Sequence, residues 1–250
     1  MKIAIVGYGK MGHIIEKTAM ERGHEITCRI DKDNTCDFNS PEFRNSDVAI
    51  EFSTPATGAE NVLKCMEVGV PVVSGTTGWT ARLPEMRKKC ERGEGTLIWA
   101  SNFSIGVNIF MTINSTLARI MNKFPQYTPS MLEVHHIHKL DHPSGTAITL
   151  AEEIEAGTER ITGWVETETE AASAPAGKLG IAHERRGEVP GIHTITWDSS
   201  VDDITISHSA KSRDGFALGA VIAAEWLADK KGFHTMPEMM ASLTGISTER

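Results

Sequence analysis

The chain has 250 residues, of which 40% are hydrophobic and 23% charged, a composition that is ordinary for a globular protein and argues against disorder. Its formal net charge of -8 argues against nucleic acid or an acidic membrane surface as the main partner, because such binders usually carry a basic face. No stretch is apolar enough for a membrane span, and residues 1–30 lack a secretory signal. The four cysteines form no Cys-x-x-Cys pair, which favours reduced thiols in the cytoplasm.

The first hundred residues predict an alternation of strands and helices. Short apolar strands are expected at residues 2–6, 25–30, 48–52, 70–74 and 96–100. Helices are expected between them, at residues 10–22, 59–67 and 83–91. Such an alternation indicates a parallel sheet wound with crossover helices.

After Phe103 the pattern changes, which predicts a second domain. Helices are expected at 107–123 and 146–155, and strands at 131–135, 191–198 and 202–209. Residues 157–178 show no clear period and are predicted to be an irregular connection. Two further helices, at 214–230 and near 237–243, are expected to pack on the first domain.

The predicted fold class is therefore α/β, with an N-terminal Rossmann-like parallel sheet and a second α+β domain. The first domain is expected to span residues 1–105 and to be completed by residues 216–250. The second domain is expected to span residues 106–215.

A glycine-rich turn lies directly between the first predicted strand and helix. Its residues, the predicted contacts of a dinucleotide, are Gly7, Tyr8, Gly9, Lys10, Met11 and Gly12. The first glycine permits a tight turn, the second lets the backbone approach a pyrophosphate, and the third lets the helix lie close to the strand. Asp31 ends the second strand, where a carboxylate can accept hydrogen bonds from ribose hydroxyls, whereas Lys32 can pair with a 2′-phosphate. NADH and NADPH both remain open.

Residues 133–147 gather four histidines and a lysine. If 131–135 form a strand, His135 and His136 point to opposite faces and cannot share a role. Histidine titrates near neutrality and suits proton donation, and a loop could bring Lys139 to the substrate that His135 faces. The cluster predicts an anionic ligand, because basic groups are costly to gather without an anion.

Ser144, Gly145 and Thr146 follow this cluster and precede a predicted helix. Their hydroxyl and N–H groups can bind a carboxylate, although an ordinary helix cap explains the segment taken alone. A metal site is a further alternative, with the ligands His135, His138, Asp141 and His142. We rank it lower and predict no metal, because Lys139 would bring a positive charge to the ion and no familiar ligand pattern is complete.

These motifs together resemble the dihydrodipicolinate reductase family, also called the 4-hydroxy-tetrahydrodipicolinate reductases, of the diaminopimelate and lysine pathway. The resemblance covers nearly the whole chain and is carried by Gly7-x-Gly-Lys-Met-Gly12, Ser74-Gly-Thr-Thr77, Ala100-Ser-Asn-Phe-Ser104, His135-His-x-His-Lys139 with Asp141-x-Pro-Ser-Gly-Thr-Ala147, and Arg185-Arg-Gly-Glu-Val-Pro-Gly-Ile-His-Thr194. One departure is Ile137, where many relatives carry arginine.

The resemblance implies roles for residues of three of these motifs. His135 would be the general acid, Lys139 would assist at the substrate, and His136, Gly145 and Thr146 would bind its carboxylates. The loops that would flank the nicotinamide consist of Gly75, Thr76 and Thr77, and of Ala100, Ser101, Asn102 and Phe103.

The implied reaction is hydride transfer from NADH or NADPH to C4 of a cyclic imine dicarboxylate, with protonation of C3 by His135. The 4-hydroxyl would leave as water if the hydroxylated precursor is the substrate. The resemblance further implies a homotetramer built through sheets of the second domain. The alternatives are a non-catalytic dinucleotide-binding sensor and another amino-acid dehydrogenase.

Overall fold

The computed structural model describes residues 1–169 and 174–246. These residues form two compact units, one made of Met1–Asn108 with Arg213–Ile246 and the other of Ile109–Ser212. Residues 170–173 of the predicted irregular connection, and 247–250 of the predicted first domain, lie outside the described residues. No helix in the described ranges is both long and apolar enough to cross a membrane.

The elements of the first half alternate between strand and helix. In chain order they are β1 (Lys2–Val6), α1 (Lys10–Glu21), β2 (Glu25–Ile30), α2 (Pro41–Arg44), β3 (Val48–Glu51), α3 (Gly58–Glu67), β4 (Val72–Ser74), α4 (Leu83–Glu91), β5 (Thr96–Trp99) and α5 (Ile105–Met121). Those of the second half are β6 (Thr128–His135), α6 (Gly145–Gly157), β7 (Trp164–Thr167), β8 (Leu179–Arg185), β9 (Ile192–Asp198), β10 (Asp203–Ser209), α7 (Asp214–Leu227), β11 (Gly232–His234) and α8 (Met236–Thr244).

The first unit is built on a six-stranded sheet in the order β11-β5-β4-β3-β1-β2. All of its strand pairs are parallel, which confirms the predicted α/β class. The strands consist of short apolar runs such as Lys2–Val6, whose last four residues are buried, as expected for strands covered on both faces. α7 and α8 contribute buried residues to one core of this unit, together with α1. The carboxyl ends of these strands carry the loops in which the cofactor residues were predicted.

The second unit is built on a mixed sheet in the order β10-β9-β6-β8-β7. Its central strand, β6, pairs antiparallel with β9 and parallel with β8. Along β6 the side chains of Met131, Glu133 and His135 share one face and are all buried. Met131 packs there with Leu150 of α6 and Trp197 of β9. Near the end of β6, the carboxylate of Glu133 and the imidazole of His135 are therefore buried beside apolar side chains on the same face of the sheet.

The structure corrects the prediction of an irregular connection over residues 157–178. Trp164–Thr167 forms β7, and it pairs parallel with β8, a strand that the sequence pattern did not predict. The prediction failed because β7 has only four residues at the edge of the sheet, half-buried without clear alternation, and β8 ends in charged residues. β11 was also missed, since three residues are too few for a periodic signal.

Candidate active site

The glycine turn at the end of β1 has the geometry that a bound dinucleotide needs. Gly7 adopts a φ of +89°, and a Cβ there would lie 2.1 Å from the carbonyl oxygen of Phe52. A Cβ at Gly12 would lie 2.4 Å from the carbonyl oxygen of Gly7, so α1 can pack this closely only with glycine. A Cβ at Gly9 would meet nothing within 4 Å. The backbone at Gly9 is thus open to an approaching ligand, which fits a pyrophosphate.

The start of α1 leaves its first N–H groups available. No side chain caps this helix, and its first turn contains no acidic residue that would repel a phosphate. Lys10 is exposed beside these groups, while Met11 packs against the core. Tyr8 donates a hydrogen bond to Glu16, and the hydrogen bonds of Glu16 with Arg29 lower the pKa of Glu16 to about 2. The tyrosine is therefore anchored to an ion pair.

Asp31 and Lys32 are both exposed just after β2. No hydrogen bond or ion pair within residues 1–169 and 174–246 engages the Asp31 carboxylate or the Lys32 ammonium. The backbone N–H of Asp31 donates to the Asn34 side chain at 2.7 Å, which shapes the turn. Both charged groups are thus available to a ribose or to a phosphate on it.

Glu51 at the end of β3 was not found by sequence reasoning, yet it organises the loop after β4. Its fully buried carboxylate accepts hydrogen bonds from the hydroxyls of Ser74 at 2.6 Å and Thr76 at 2.8 Å, and from the N–H of Ser53 at 3.1 Å. Burial raises the pKa of Glu51, and these donors act in the opposite direction. Thr76 is consequently turned inward, while Thr77 is exposed.

Phe103 is buried in the first unit, and Ala100 is nearly so. The side-chain oxygen of Asn102 accepts a hydrogen bond from the N–H of Ser104 at 2.9 Å, whereas Ser101 is exposed. A Cβ at Gly219 would lie 1.7 Å from the carbonyl oxygen of Phe103, so α7 packs directly on this loop. Any contact of Phe103 with a ligand would therefore involve its backbone.

His135 ends β6 and is 7% exposed. Its Nδ1 atom is buried, has no hydrogen-bond partner within the described residues, and lies 3.7 Å from Oε2 of Glu133. Burial lowers the pKa of His135; the Glu133 carboxylate opposes this shift, while Lys139 and Arg185 reinforce it. The imidazole is therefore disposed to release a proton.

Glu133 is fully buried, and sequence reasoning assigned it no role. Its Oε2 atom accepts a hydrogen bond from the backbone N–H of Ser144 at 2.9 Å, and its Oε1 atom lies 3.5 Å from Nη2 of Arg185. Burial disfavours the charged carboxylate, but the hydrogen bonds from Ser144 and the attraction of the neighbouring imidazoles hold the pKa of Glu133 below its ordinary value.

His193 on β9 is a second buried imidazole, to which sequence reasoning assigned no role. Its Nε2 atom lies 3.1 Å from Oγ of Ser144, and its ring meets that of His135 edge-on, with centroids 5.1 Å apart. Burial lowers the pKa of His193 to about 4, and the nearby His135 adds to the shift. His193 is therefore neutral at pH 7.

Arg185 shapes the loop that contains Lys139. Its guanidinium donates hydrogen bonds to the carbonyl oxygens of Lys139 at 3.1 Å and Asp141 at 2.8 Å. The Lys139 ammonium pairs with the Asp141 carboxylate at 2.8 Å. His136 follows β6 directly, and its buried Nδ1 atom has no hydrogen-bond partner among the described residues. Ile137 is 59% exposed.

The Ser144–Thr146 segment begins α6. The hydroxyl of Ser144 accepts a hydrogen bond from the N–H of Ala147 at 3.2 Å, and its own N–H is donated to Glu133. Ser144 is thus engaged within the protein. The N–H groups of Gly145 and Thr146 have no partner within the described residues, and a Cβ at Gly145 would meet nothing within 4 Å. The open donors of this helix start are therefore at Gly145 and Thr146.

The four residues of the alternative metal site do not converge in the part of the chain that the structure describes. His138 lies 3.4 Å from Glu188, His142 lies 2.8 Å from Glu166, and Asp141 pairs with Lys139. Two other groups bring candidate ligand atoms within 4.8 Å of one another, Glu133 with His135 and His193, and His142 with Glu166 and His183. In both groups the carboxylate already faces imidazole nitrogens.

A glycine turn that fits a pyrophosphate on a parallel sheet, and a buried imidazole in one unit with open helix-start donors, are features typical of an oxidoreductase for an anionic small molecule. Comparison with known proteins identifies the family. The family profile described as "Dihydrodipicolinate reductase, N-terminus" matches residues 1–103, and "Dihydrodipicolinate reductase, C-terminus" matches residues 106–240. The chain belongs to the dihydrodipicolinate reductase family, a family of nicotinamide-dependent oxidoreductases in diaminopimelate and lysine biosynthesis.

Individual relatives agree with this assignment. The chain is 44% identical over 244 residues to the 4-hydroxy-tetrahydrodipicolinate reductase of Christiangramia forsetii, with 97% of this chain and 99% of the relative covered. It is 34% identical over 265 residues to the enzyme of that name from Archaeoglobus fulgidus, with 96% and 100% covered. Its fold is similar to that of the dipicolinate-bound dihydrodipicolinate reductase from Paenisporosarcina sp. TG-14, with a TM-score of 0.77, 23% identity, and 96% and 99% of the two chains covered. The predicted family and enzyme class are thereby confirmed.

Proposed function

We propose that the chain reduces 4-hydroxy-tetrahydrodipicolinate, through its dehydrated form, to tetrahydrodipicolinate with NADH or NADPH. One observation carries the proposal: buried His135 lies on the same unit as the open N–H groups of Gly145 and Thr146, and Glu133 contacts both parts. An acid and a carboxylate site are what this reduction requires. The names of the relatives, and the dipicolinate bound to one of them, support a cyclic dicarboxylate as the substrate.

The proposed reaction combines loss of water, transfer of a hydride to C4 and protonation of C3. Loss of the 4-hydroxyl and a proton from C3, together as water, would produce a ring with a double bond between C3 and C4. A nicotinamide held in the first unit would be the source of the hydride for C4, and His135 would supply the proton to C3 as the electron pair of the double bond moves there. The lowered pKa of His135 favours that release, and a dicarboxylate bound nearby would favour the protonated imidazole before the reaction.

The remaining predicted residues bind and orient the substrate. Gly145 and Thr146 would donate their N–H groups to one carboxylate at the positive end of α6. His136 would bind a carboxylate and Lys139 would contribute positive charge, while Ser144, whose N–H and hydroxyl are engaged within the protein, would act by capping the start of the same helix. Holding both carboxylates fixes C3 relative to the acid, which makes this mainly positioning and electrostatic catalysis.

Use of both cofactors is part of the proposal. The available Asp31 carboxylate suits the free ribose of NADH, and the available Lys32 ammonium suits the 2′-phosphate of NADPH. The loops Gly75–Thr77 and Ala100–Phe103 are proposed to flank the nicotinamide, because both follow strands at the carboxyl edge of the parallel sheet.

Parallel assays of NADH and NADPH oxidation with freshly generated 4-hydroxy-tetrahydrodipicolinate test this function. We expect oxidation of both cofactors and inhibition by pyridine-2,6-dicarboxylate. A non-catalytic sensor would instead bind NADH without oxidising it, and another amino-acid dehydrogenase would turn over only with a different substrate. Loss of activity with a chelator would favour a metal-dependent enzyme.

We also propose a cytoplasmic homotetramer. The free thiols of all four cysteines support a reducing compartment. The pairs Thr194 with Ser207 and Thr196 with Thr205 form an exposed row of hydroxyls across β9 and β10, a surface on which a second sheet could pack. Light scattering coupled to gel filtration should give four chain masses, and a single chain mass would contradict the assembly.

A further inference from the structure

The buried carboxylate of Glu133 joins two parts of the proposed substrate site. It lies on the central strand of its sheet, two residues before His135, and is 0% exposed. Its Oε2 atom lies 3.7 Å from Nδ1 of His135 and accepts the Ser144 N–H at 2.9 Å. A buried carboxylate is costly unless it is paired and hydrogen-bonded, so its partners define its position tightly.

Arg185 extends this contact to the loop between β6 and α6. It pairs with Glu133 at 3.5 Å and also donates to the carbonyl oxygens of Lys139 and Asp141. The carboxylate and the guanidinium thus connect β6, β8, the Lys139 loop and the first turn of α6. A substitution of Glu133 would therefore alter the surroundings of His135 and the position of the first turn of α6 together.

We propose that Glu133 is the positioning residue of the substrate site: its charge favours the protonated form of His135, and its hydrogen bond to Ser144 holds the start of α6 where Gly145 and Thr146 bind a carboxylate. The inference deepens the proposed function and rests on it for the roles of His135 and the helix start.

The charge of Glu133 matters because most groups around His135 oppose its protonation. The ionisable groups that face it from the surrounding elements are Glu133 on β6, His136, Lys139 and Asp141 in the following loop, Arg185 on β8 and His193 on β9. Burial and the nearby cations lower the pKa of His135, and the carboxylate of Glu133 opposes them at close range. Neutralising that carboxylate should therefore lower the pKa of His135 further.

The test compares the full-length protein with the E133Q variant, which removes the charge and keeps the shape. The imidazole signals of its histidines are titrated by NMR, and those of His135 are assigned from their absence in H135A. We expect E133Q to lower the pKa of His135 by about one unit or more. In active enzyme, the high-pH limb of the kcat profile should move to lower pH with it. The matched control is E188Q, which removes an exposed carboxylate 3.4 Å from His138 and should leave the His135 signals unchanged.

A second variant, E133D, keeps the charge but is one methylene too short to hold the Ser144 N–H. We expect the pKa of His135 to stay close to its wild-type value, while the affinity for pyridine-2,6-dicarboxylate falls about tenfold, a loss of ~1.4 kcal/mol. An unchanged pKa of His135 in E133Q, or unchanged dicarboxylate affinity in E133D, would overturn the inference. If E133Q does not fold, the E133D affinity decides. The titration needs no turnover, so an inactive wild type would refute the proposed function and leave the effect on His135 readable.

Discussion

His193 illustrates how burial controls a single ionisable group in this protein. The imidazole is enclosed beside His135 and hydrogen-bonded to Ser144, and burial lowers its pKa from 6.5 to about 4. Below pH 6.5 the unfolded chain therefore binds a proton at this residue that the folded chain does not. The free energy of unfolding must fall as the pH decreases from about 6.5 toward 4.

We expect this one group to contribute a loss of about 2 kcal/mol in the free energy of unfolding between pH 7 and pH 5. Urea unfolding at the two pH values measures it in the wild type and in H193Q, whose side chain cannot take up the proton. The wild type should lose more stability than H193Q by roughly that amount. Equal losses would show that His193 is not buried in its neutral form.

His135 carries the proposed proton transfer. Replacing it with alanine in H135A should lower kcat by about 10²-fold or more, because the proposed acid is lost while the proposed cofactor residues lie on the other unit. The affinity for NADH, measured by fluorescence titration, should stay nearly unchanged. A kcat close to that of the wild type would refute the assignment of the acid.

Asp31 and Lys32 are single residues that are each expected to favour one cofactor, Asp31 NADH and Lys32 NADPH. D31A should raise the KM for NADH and K32A the KM for NADPH, each by about fivefold, because an exposed charged contact contributes ~1 kcal/mol at most. Each variant is the control for the other when both cofactors are assayed in parallel. Equal effects of K32A on both cofactors would remove Lys32 from phosphate recognition.

Sequence spacing could predict some of these residues and not others. The glycines of the first turn, and His135 with Lys139, are close in the chain, so local patterns place them together. Glu133 and Arg185 are 52 residues apart, and the pairing of β6 with β8 brings them together. Ser144 at the start of α6 and His193 on β9 are 49 residues apart, and the fold also brings them into contact. Without strand order, neither contact can be read from the sequence.

At the scale of elements, α7 shows how closely a helix can approach a loop. A Cβ at Gly219 would lie 1.7 Å from the carbonyl oxygen of Phe103, whereas a Cβ at Gly215 on the same helix would lie 3.5 Å from Oγ of Ser104. The first distance forces backbone to move, and the second is an ordinary contact. A larger residue is therefore tolerated at Gly215 and excluded at Gly219, although both glycines lie in α7.

We expect G219A to destabilise the protein by about 3 kcal/mol, since overpacking against backbone cannot be relieved by a rotamer change. G215A should be neutral, or stabilising by up to ~1 kcal/mol through the higher helix propensity of alanine. Chemical unfolding of both variants makes the comparison, and NADH titration shows whether the Ala100–Phe103 loop is displaced. Similar stabilities for the two variants would mean that α7 does not pack as described.

The predicted helices and the missed strands differ in how much pattern each contains. α5 and α7 are long enough to repeat an apolar spacing several times, and both were expected near their observed positions. β7 has four residues and β11 has three, so neither contains a repeat. β8 acquires its place by pairing between β6 and β7, which is a tertiary property. Short strands are thus specified by their neighbours more than by their own sequence.

At the scale of the whole molecule, the residues proposed to bind the cofactor and those proposed to bind the substrate lie in different compact units. The glycine turn, Asp31 and Lys32 lie in one unit, and His135, Lys139 and the start of α6 lie in the other. The α/β class followed from alternation alone, since it needs only element type and order. The domain limits at 105 and 215 remain predictions about folding and function.

Hydrogen exchange measured with each ligand separately tests this division. NADH alone should slow amide exchange in residues 7–12, and pyridine-2,6-dicarboxylate alone should slow it around residues 144–146, because each ligand is expected to accept hydrogen bonds from those N–H groups. A dicarboxylate that leaves residues 144–146 unprotected would contradict the proposed substrate site. NADH without effect on the glycine turn would contradict the cofactor site.

The buried carboxylate of Glu51 sets a rule for exchanging the loop after β4, which is proposed to flank the nicotinamide. Glu51 is one acceptor shared by Ser53 in the loop after β3, by Ser74 at the end of β4 and by Thr76 in the loop after β4. A transplanted loop without a matching donor would leave Glu51 short of a hydrogen bond, at a cost of about 1–3 kcal/mol. A successful graft must therefore transfer the acceptor and its donors as one set.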